Sequence, residues 1–150
     1  MPERFELEYV DAGGQRQRPV MLHRALYGSV ERFLGILLEH HQGRLPAWLA
    51  PEQARVFALN ADQLDSARSL CTALRAAGLR ASLDASEDRL GSRIARARQL
   101  AIPFLLCIGA REARAGTVSV RQGDERSELG NEHAVSQLAK ACAGPFGGVG

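Results

Sequence analysis

Phe104-Leu105-Leu106-Cys107-Ile108 is apolar without a break. A strand sends successive side chains to opposite faces, so an unbroken apolar run is stable only where both faces are covered. This run therefore demands a layered α/β structure with a strand in its centre. The surrounding pattern supplies the layers. Arg55 to Leu59 reads as a short apolar strand, Arg80 to Leu83 as another, and Thr117 to Arg121 alternates as a strand nearer an edge does. Between them, Leu64, Ala67, Leu70, Cys71, Leu74 and Ala77 recur at helical spacing, with Asp62 as a candidate cap and Gly78 as a stop. A second helix is expected over residues 90–100, after a loop from Asp84 to Arg89. A third is expected from Asn131 to about Ala143. The order β-α-β-α-β-β-α predicts a mixed, mostly parallel sheet flanked by helices.

The first third of the chain follows a different rule. Phe5 to Val10 alternates apolar and charged residues, Asp11-Ala12-Gly13-Gly14 signals a turn, and Pro19 to His23 is apolar, so a hairpin is expected. Ser29 is positioned to cap a helix carrying Phe33, Leu34, Leu37, Leu38 and His41, and Gly43 stands where such a helix stops. Residues 44–53 hold two prolines and no period, which places a domain boundary there. The Gly-rich residues 144–150 are expected to fray.

Several function classes are excluded by what is missing. Neither a G-x-G-x-x-G nor a Walker-type phosphate loop is present. Cys71, Cys107 and Cys142 are odd in number, widely spaced and set among apolar residues, so they read as reduced core thiols. No apolar run reaches the ~20 residues of a membrane span, and the polar start is no signal peptide. A cytoplasmic location is expected. The net charge of +2 does not by itself indicate nucleic acid. Lys140 is the sole lysine, and every other cation is an arginine, the side chain suited to forked phosphate and base-edge contacts.

The stretch Arg18-Pro19-Val20-Met21-Leu22-His23-Arg24-Ala25-Leu26-Tyr27-Gly28-Ser29-Val30-Glu31-Arg32-Phe33 resembles the third signature motif of class II aminoacyl-tRNA synthetases in its threonyl form. Gly35 to His40, Pro46 to Pro51, Ala77 to Arg80 and Gly116 to Arg121 resemble the same family, in the same order. The resemblance implies two parts. Residues 1–46 correspond to the end of a class II catalytic domain. Residues 51–143 correspond to the anticodon-binding domain shared by the glycyl, histidyl, prolyl and threonyl enzymes.

The site residues follow from that resemblance. Arg32 matches the arginine that binds the γ-phosphate of ATP, where a fixed guanidinium meets charge developing on pyrophosphate. Gly28 matches the glycine that lets backbone approach the adenine. His23 matches a zinc ligand, but its companion ligands lie outside this sequence and a zinc site needs three or four. ATP, Mg and Zn are therefore cofactors of the full-length family enzyme, with none expected for this chain alone. Glu112 and Arg121 match residues that read anticodon bases. Glu87 falls near a third reading position, normally asparagine, and is a departure from it. By spacing alone, Arg89, Arg93 and Arg96 share a helix face with Arg98 nearby, the pattern either of a phosphate-facing stripe or of a solvated face balanced by Glu87 and Asp88.

The expected function is tRNA binding as the C-terminal part of a threonine–tRNA ligase, without aminoacylation by this chain alone. The alternative is a stand-alone accessory or interaction module derived from the same domain. Threonine tRNA is the expected RNA partner. The apolar surface of the first part is expected to be covered by a homodimer, a complementing catalytic fragment or a fold-back.

Overall fold

A computed structural model describes residues 3–145. The chain divides into two compact units, one up to Leu37 and one from Leu38. The first holds a two-residue antiparallel pair, β1 (Tyr9–Val10) with β2 (Arg16–Gln17). Asp11 makes the turn between them, its Oδ1 accepting the N–H groups of Gly13 and Gln15, both at 2.9 Å. The expected hairpin is thus present, but its return strand is Arg16–Gln17 and not Pro19–His23. Proline lacks the N–H a ladder needs, and residues 18–25 are irregular. Helix α1 (Val30–His40) begins after Ser29, whose Oγ accepts the N–H of Arg32 at 3.3 Å, and no residue of α1 is buried. At its far end Gly43 takes a φ of 73°, and its N–H reaches the Leu38 carbonyl at 2.8 Å.

The second unit is built on a five-stranded sheet in the order β4-β3-β5-β6-β7. Its strands are β3 (Ala54–Ala58), β4 (Ala81–Asp84), β5 (Phe104–Ile108), β6 (Thr117–Gln122) and β7 (Glu125–Gly130). β3 is parallel to β4 and to β5, whereas β6 is antiparallel to both neighbours, so four of the five strands run the same way. β5 sits in the centre and all five of its residues are buried, as its apolar run requires. Four helices complete the unit: α2 (Leu64–Ala76), α3 (Leu90–Gln99), α4 (Ala110–Ala115) and α5 (Asn131–Ala141).

The two faces of the sheet are filled differently. On one, Val56, Leu106, Ile108, Val118 and Val120 pack with Leu70 and Leu74 of α2 and Leu138 of α5. On the other, Phe57, Leu105 and Cys107 pack with Ile94 and Ala97 of α3. Each fully buried branched side chain contributes about 1.5–3 kcal/mol, so α2 is held firmly over β3 and β4, α5 over β6 and β7, and α3 over β3 and β5. Since α3 covers only those strands, the same face of β6 and β7 is left to polar residues.

In the second unit three elements differ from the sequence expectation. α2 does not start from Asp62; a 3₁₀ turn over Ala61–Gln63 comes first, with the Gln63 side chain accepting the Asn60 N–H at 3.2 Å. α4 and β7 are absent from that expectation. β7 has no apolar pattern because only Leu129 is even partly covered. The two-residue link Gly123-Asp124, with Gly123 at a φ of 59°, nevertheless has the chemistry of a tight hairpin turn. The fraying expected for residues 144–150 falls largely on 146–150, which lie outside the described residues.

Candidate nucleic-acid interface

The open half of the α3 face begins with the register of the hairpin. Val118 and Val120 point into the core, so Thr117, Ser119 and Arg121 point the other way. Across the ladder, Arg126 lies opposite Arg121 and Glu128 opposite Ser119. These side chains are tied to one another. Arg126 Nε donates to Ser119 Oγ at 2.9 Å, and Thr117 Oγ1 donates to Glu128 Oε1 at 3.0 Å. Arg111, on α4, bridges Glu128 Oε2 at 2.7 Å and Glu112 Oε1 at 3.3 Å.

Glu112 is placed by the turn between β5 and α4. Gly109 caps α4, and its N–H donates to Glu112 Oε2 at 3.1 Å. A Cβ on Gly109 would stand 2.8 Å from that oxygen and 3.1 Å from Leu59 Cδ2, so glycine is what leaves room for the carboxylate. The backbone N–H of Glu112 itself holds the carboxyl below its ordinary range, against a contrary pull from burial, with Gly109 and Arg111 adding to the lowering. Near neutral pH Glu112 is therefore an acceptor only, suited to the amino and imino donors on base edges.

Glu112 and Arg121 thus share one side of the sheet. Arg111 and Glu128 link Glu112 to the Ser119 row, and Arg121 lies two residues further along β6, about 7 Å away. Arg121 is half-buried, and its Nε is buried without a hydrogen-bond partner among the described residues. A buried donor left unpaired costs about 1–3 kcal/mol, which a bound acceptor would recover. Beneath this face Cys107 is buried, and burial pushes its thiol pKa up against the opposing fields of Arg121, Arg126 and Arg93.

The arginine stripe expected on α3 is not formed. Arg93 lies on the inward face between buried Ile94 and Ala97, with 3% of its surface exposed. Its Nη1 donates to the Ala58 carbonyl at 2.8 Å, its Nε to Asp84 Oδ1 at 3.1 Å, and its Nη2 to the Asp84 carbonyl. The guanidinium also sits over the Phe57 ring, 5.4 Å from its centre. A side chain so occupied cannot reach a phosphate. It joins the ends of β3 and β4 and anchors the loop that carries Glu87. Glu87 is exposed in that loop, beside a cavity of about 360 Å³ that Arg93 also lines. Arg89 is exposed just before α3, and Arg96 is exposed but paired with Asp88 at 2.6 Å.

The residues matched to catalysis stand in the first unit. Arg32 is exposed in the first turn of α1, Gly28 takes a φ of 69°, and His23 is exposed in irregular chain. Among the described residues no three His, Cys, Asp or Glu side chains come together as metal ligands. The donors present do not fit a zinc ion at His23. The three cysteines are free, with Cys71 and Cys107 buried. No helix of the described residues is long and apolar enough to cross a membrane.

Residues 53–143 match the family described as "Anticodon binding domain". The chain is 45% identical over 144 residues to a threonine–tRNA ligase of Mycobacterium avium, a match covering 95% of this chain and 21% of that protein. It is 44% identical over 133 residues to the threonine–tRNA ligase of Desulfosudis oleivorans, covering 89% and 21%. The chain spans about a fifth of the length of the curated relatives it matches. Among solved structures, the RNA-binding domain of threonyl-tRNA synthetase from Cryptosporidium parvum superposes with a TM-score of 0.73 at 33% identity, covering 93% of this chain and 36% of that one. Prolyl-tRNA synthetase from the same organism has a TM-score of 0.72 at 18% identity, a likeness of fold alone.

Proposed function

We propose that this chain, which belongs to the anticodon-binding domain family, binds the anticodon loop of threonine tRNA as the C-terminal part of a threonine–tRNA ligase. The observation that carries the reading is the placement of Glu112 and Arg121 on one open, polar side of the sheet. A carboxylate that only accepts and a guanidinium that only donates can together read the edges of unpaired bases. The relatives are threonine–tRNA ligases, which supports the choice of tRNA. None of them supports the accessory-module alternative.

Arg32 and Gly28 keep the ATP roles implied by the motif only in the presence of the remaining catalytic residues, and this chain alone carries no complete set. Threonine-dependent ATP–pyrophosphate exchange by the isolated chain is expected at background. Exchange well above background would contradict this reading. The exposed apolar side chains before Leu38 seek cover, and a second copy or a complementing catalytic segment would supply it. A cytoplasmic location follows from the same reading.

The binding test compares threonine tRNA with a copy whose anticodon is changed. The native anticodon should bind more tightly. Arg121→Ala should lose about 1–3 kcal/mol and most of the difference between the two RNAs. Equal affinity of the unaltered chain for both RNAs would sink the proposal.

A further inference from the structure

We propose that Arg44, Arg98 and Arg121 form a phosphate-binding cleft that holds a backbone phosphate of the bound RNA; the choice of occupant rests on the tRNA reading above. The three side chains line a cavity of about 310 Å³ floored by Leu45, Ile102 and Leu105, with Asp124 as the one carboxylate along it. Arg44 and Arg98 are exposed, and Arg98 Nη2 is steadied by the Gly123 carbonyl at 3.2 Å. Guanidinium groups present flat forks of donors that match phosphate oxygens.

Two further observations ask for an anion here. Arg121 Nε is a buried donor with no partner among the described residues. Arg121 also stands directly opposite Arg126 in the β6–β7 ladder. Like charges so placed repel unless an anion lies between them or beside them. A phosphate in the cleft would satisfy the first and relieve the second. Glu112 lies toward the other end of β6, beyond the Ser119 row. An RNA strand crossing this face is thus gripped by its backbone at Arg44, Arg98 and the Nε edge of Arg121, while the remaining donors of Arg121 and the Glu112 carboxylate meet its bases.

The test uses the whole chain and an anticodon stem-loop. In the Arg44→Gln, Arg98→Gln double variant, one phosphate of a single strand should no longer be neutralised. The slope of log affinity against log salt should then fall by about 0.7. Weakening should be uniform across sequences, so discrimination between the threonine anticodon and its altered copy should persist. Both replaced side chains are exposed, and an unchanged melting curve confirms that the fold is intact. A salt slope equal to that of the unaltered chain, with discrimination retained, overturns the cleft while leaving the tRNA reading standing. Loss of discrimination by the unaltered chain overturns the tRNA reading instead.

A second arm separates sources of phosphate. At matched ionic strength, sodium phosphate but not sodium chloride should shift the NMR signals of the Arg98 and Arg121 Nε–H groups, and the stem-loop should shift the same signals. Shifts with phosphate but none with RNA would overturn the RNA occupant in favour of free phosphate. No shift with either would overturn the site.

Discussion

Val20, Met21 and Leu22 are as apolar as Leu105, Leu106 and Cys107, yet the two triplets have opposite fates. Val20 and Leu22 are 86% and 92% exposed, whereas Leu106 is fully buried. The residues themselves do not explain this. Leu106 has β3 on one side, β6 on the other, and helices on both faces. Val20 to Leu22 join no ladder among the described residues, and Pro19 removes one donor they would need. The same holds for α1, where Phe33, Leu34 and Ile36 stand exposed at helical spacing. Apolar sequence thus supplies a demand for burial, and only neighbouring chain can meet it.

The contrast is broken most severely by striking what joins the layers of the second unit. Arg93→Met leaves Asp84 without its buried partner and should cost about 3–5 kcal/mol in urea unfolding. A smaller loss, under about 1 kcal/mol, would mean that the loop after β4 is held by something else. Leu74→Ala, in the α2 layer, should cost about 2–5 kcal/mol. Its counterpart Leu22→Ser should stay within about 0.5 kcal/mol, because nothing among the described residues packs on it. Equal costs for those two changes would erase the distinction between the units.

Acid sharpens the comparison more gently. In the second unit the carboxyls of Glu52 and Asp84 are each lifted by burial but lowered further by their partners. Arg55 and Ser82 act on Glu52, and Ser86 and Arg93 on Asp84. A group whose folded pKa is depressed contributes stability that is present above its unfolded value, about 4, and is lost as pH falls through the lower folded value. The urea midpoint of this unit should therefore hold from pH 7 to about 5 and decline below 4. A midpoint unchanged at pH 3 would show that these pairs contribute nothing to folding.

Much of the fold is legible in the sequence because it depends on neighbours a few residues away. Phe104 to Ile108 announces a central strand, and Gly43 and Gly78 mark helix ends through their backbone freedom. The position of Glu112 and Arg121 on one side needs more. It depends on which way β6 points and on α4, whose six residues leave too short a pattern to read. Arg93 defeats the sequence reading because spacing shows which residues share a helix face, not which face turns inward; three arginines over about two turns look solvated. Arg126 and Glu128 escape it because β7 is nearly all polar, and its pairing is visible only once the Gly123-Asp124 turn is taken as a hairpin. Arg44 reaches the cleft from a segment with no periodicity at all.

Cys107, sunk beneath the arginines of the open face, gives this molecule a built-in clock. Its sulfur can meet an alkylating reagent only when α3 and the arginines lift from the sheet, so the labelling rate counts those openings. Any ligand that bridges the hairpin to α3 should slow the clock, and a silent spectator should leave its pace unaltered.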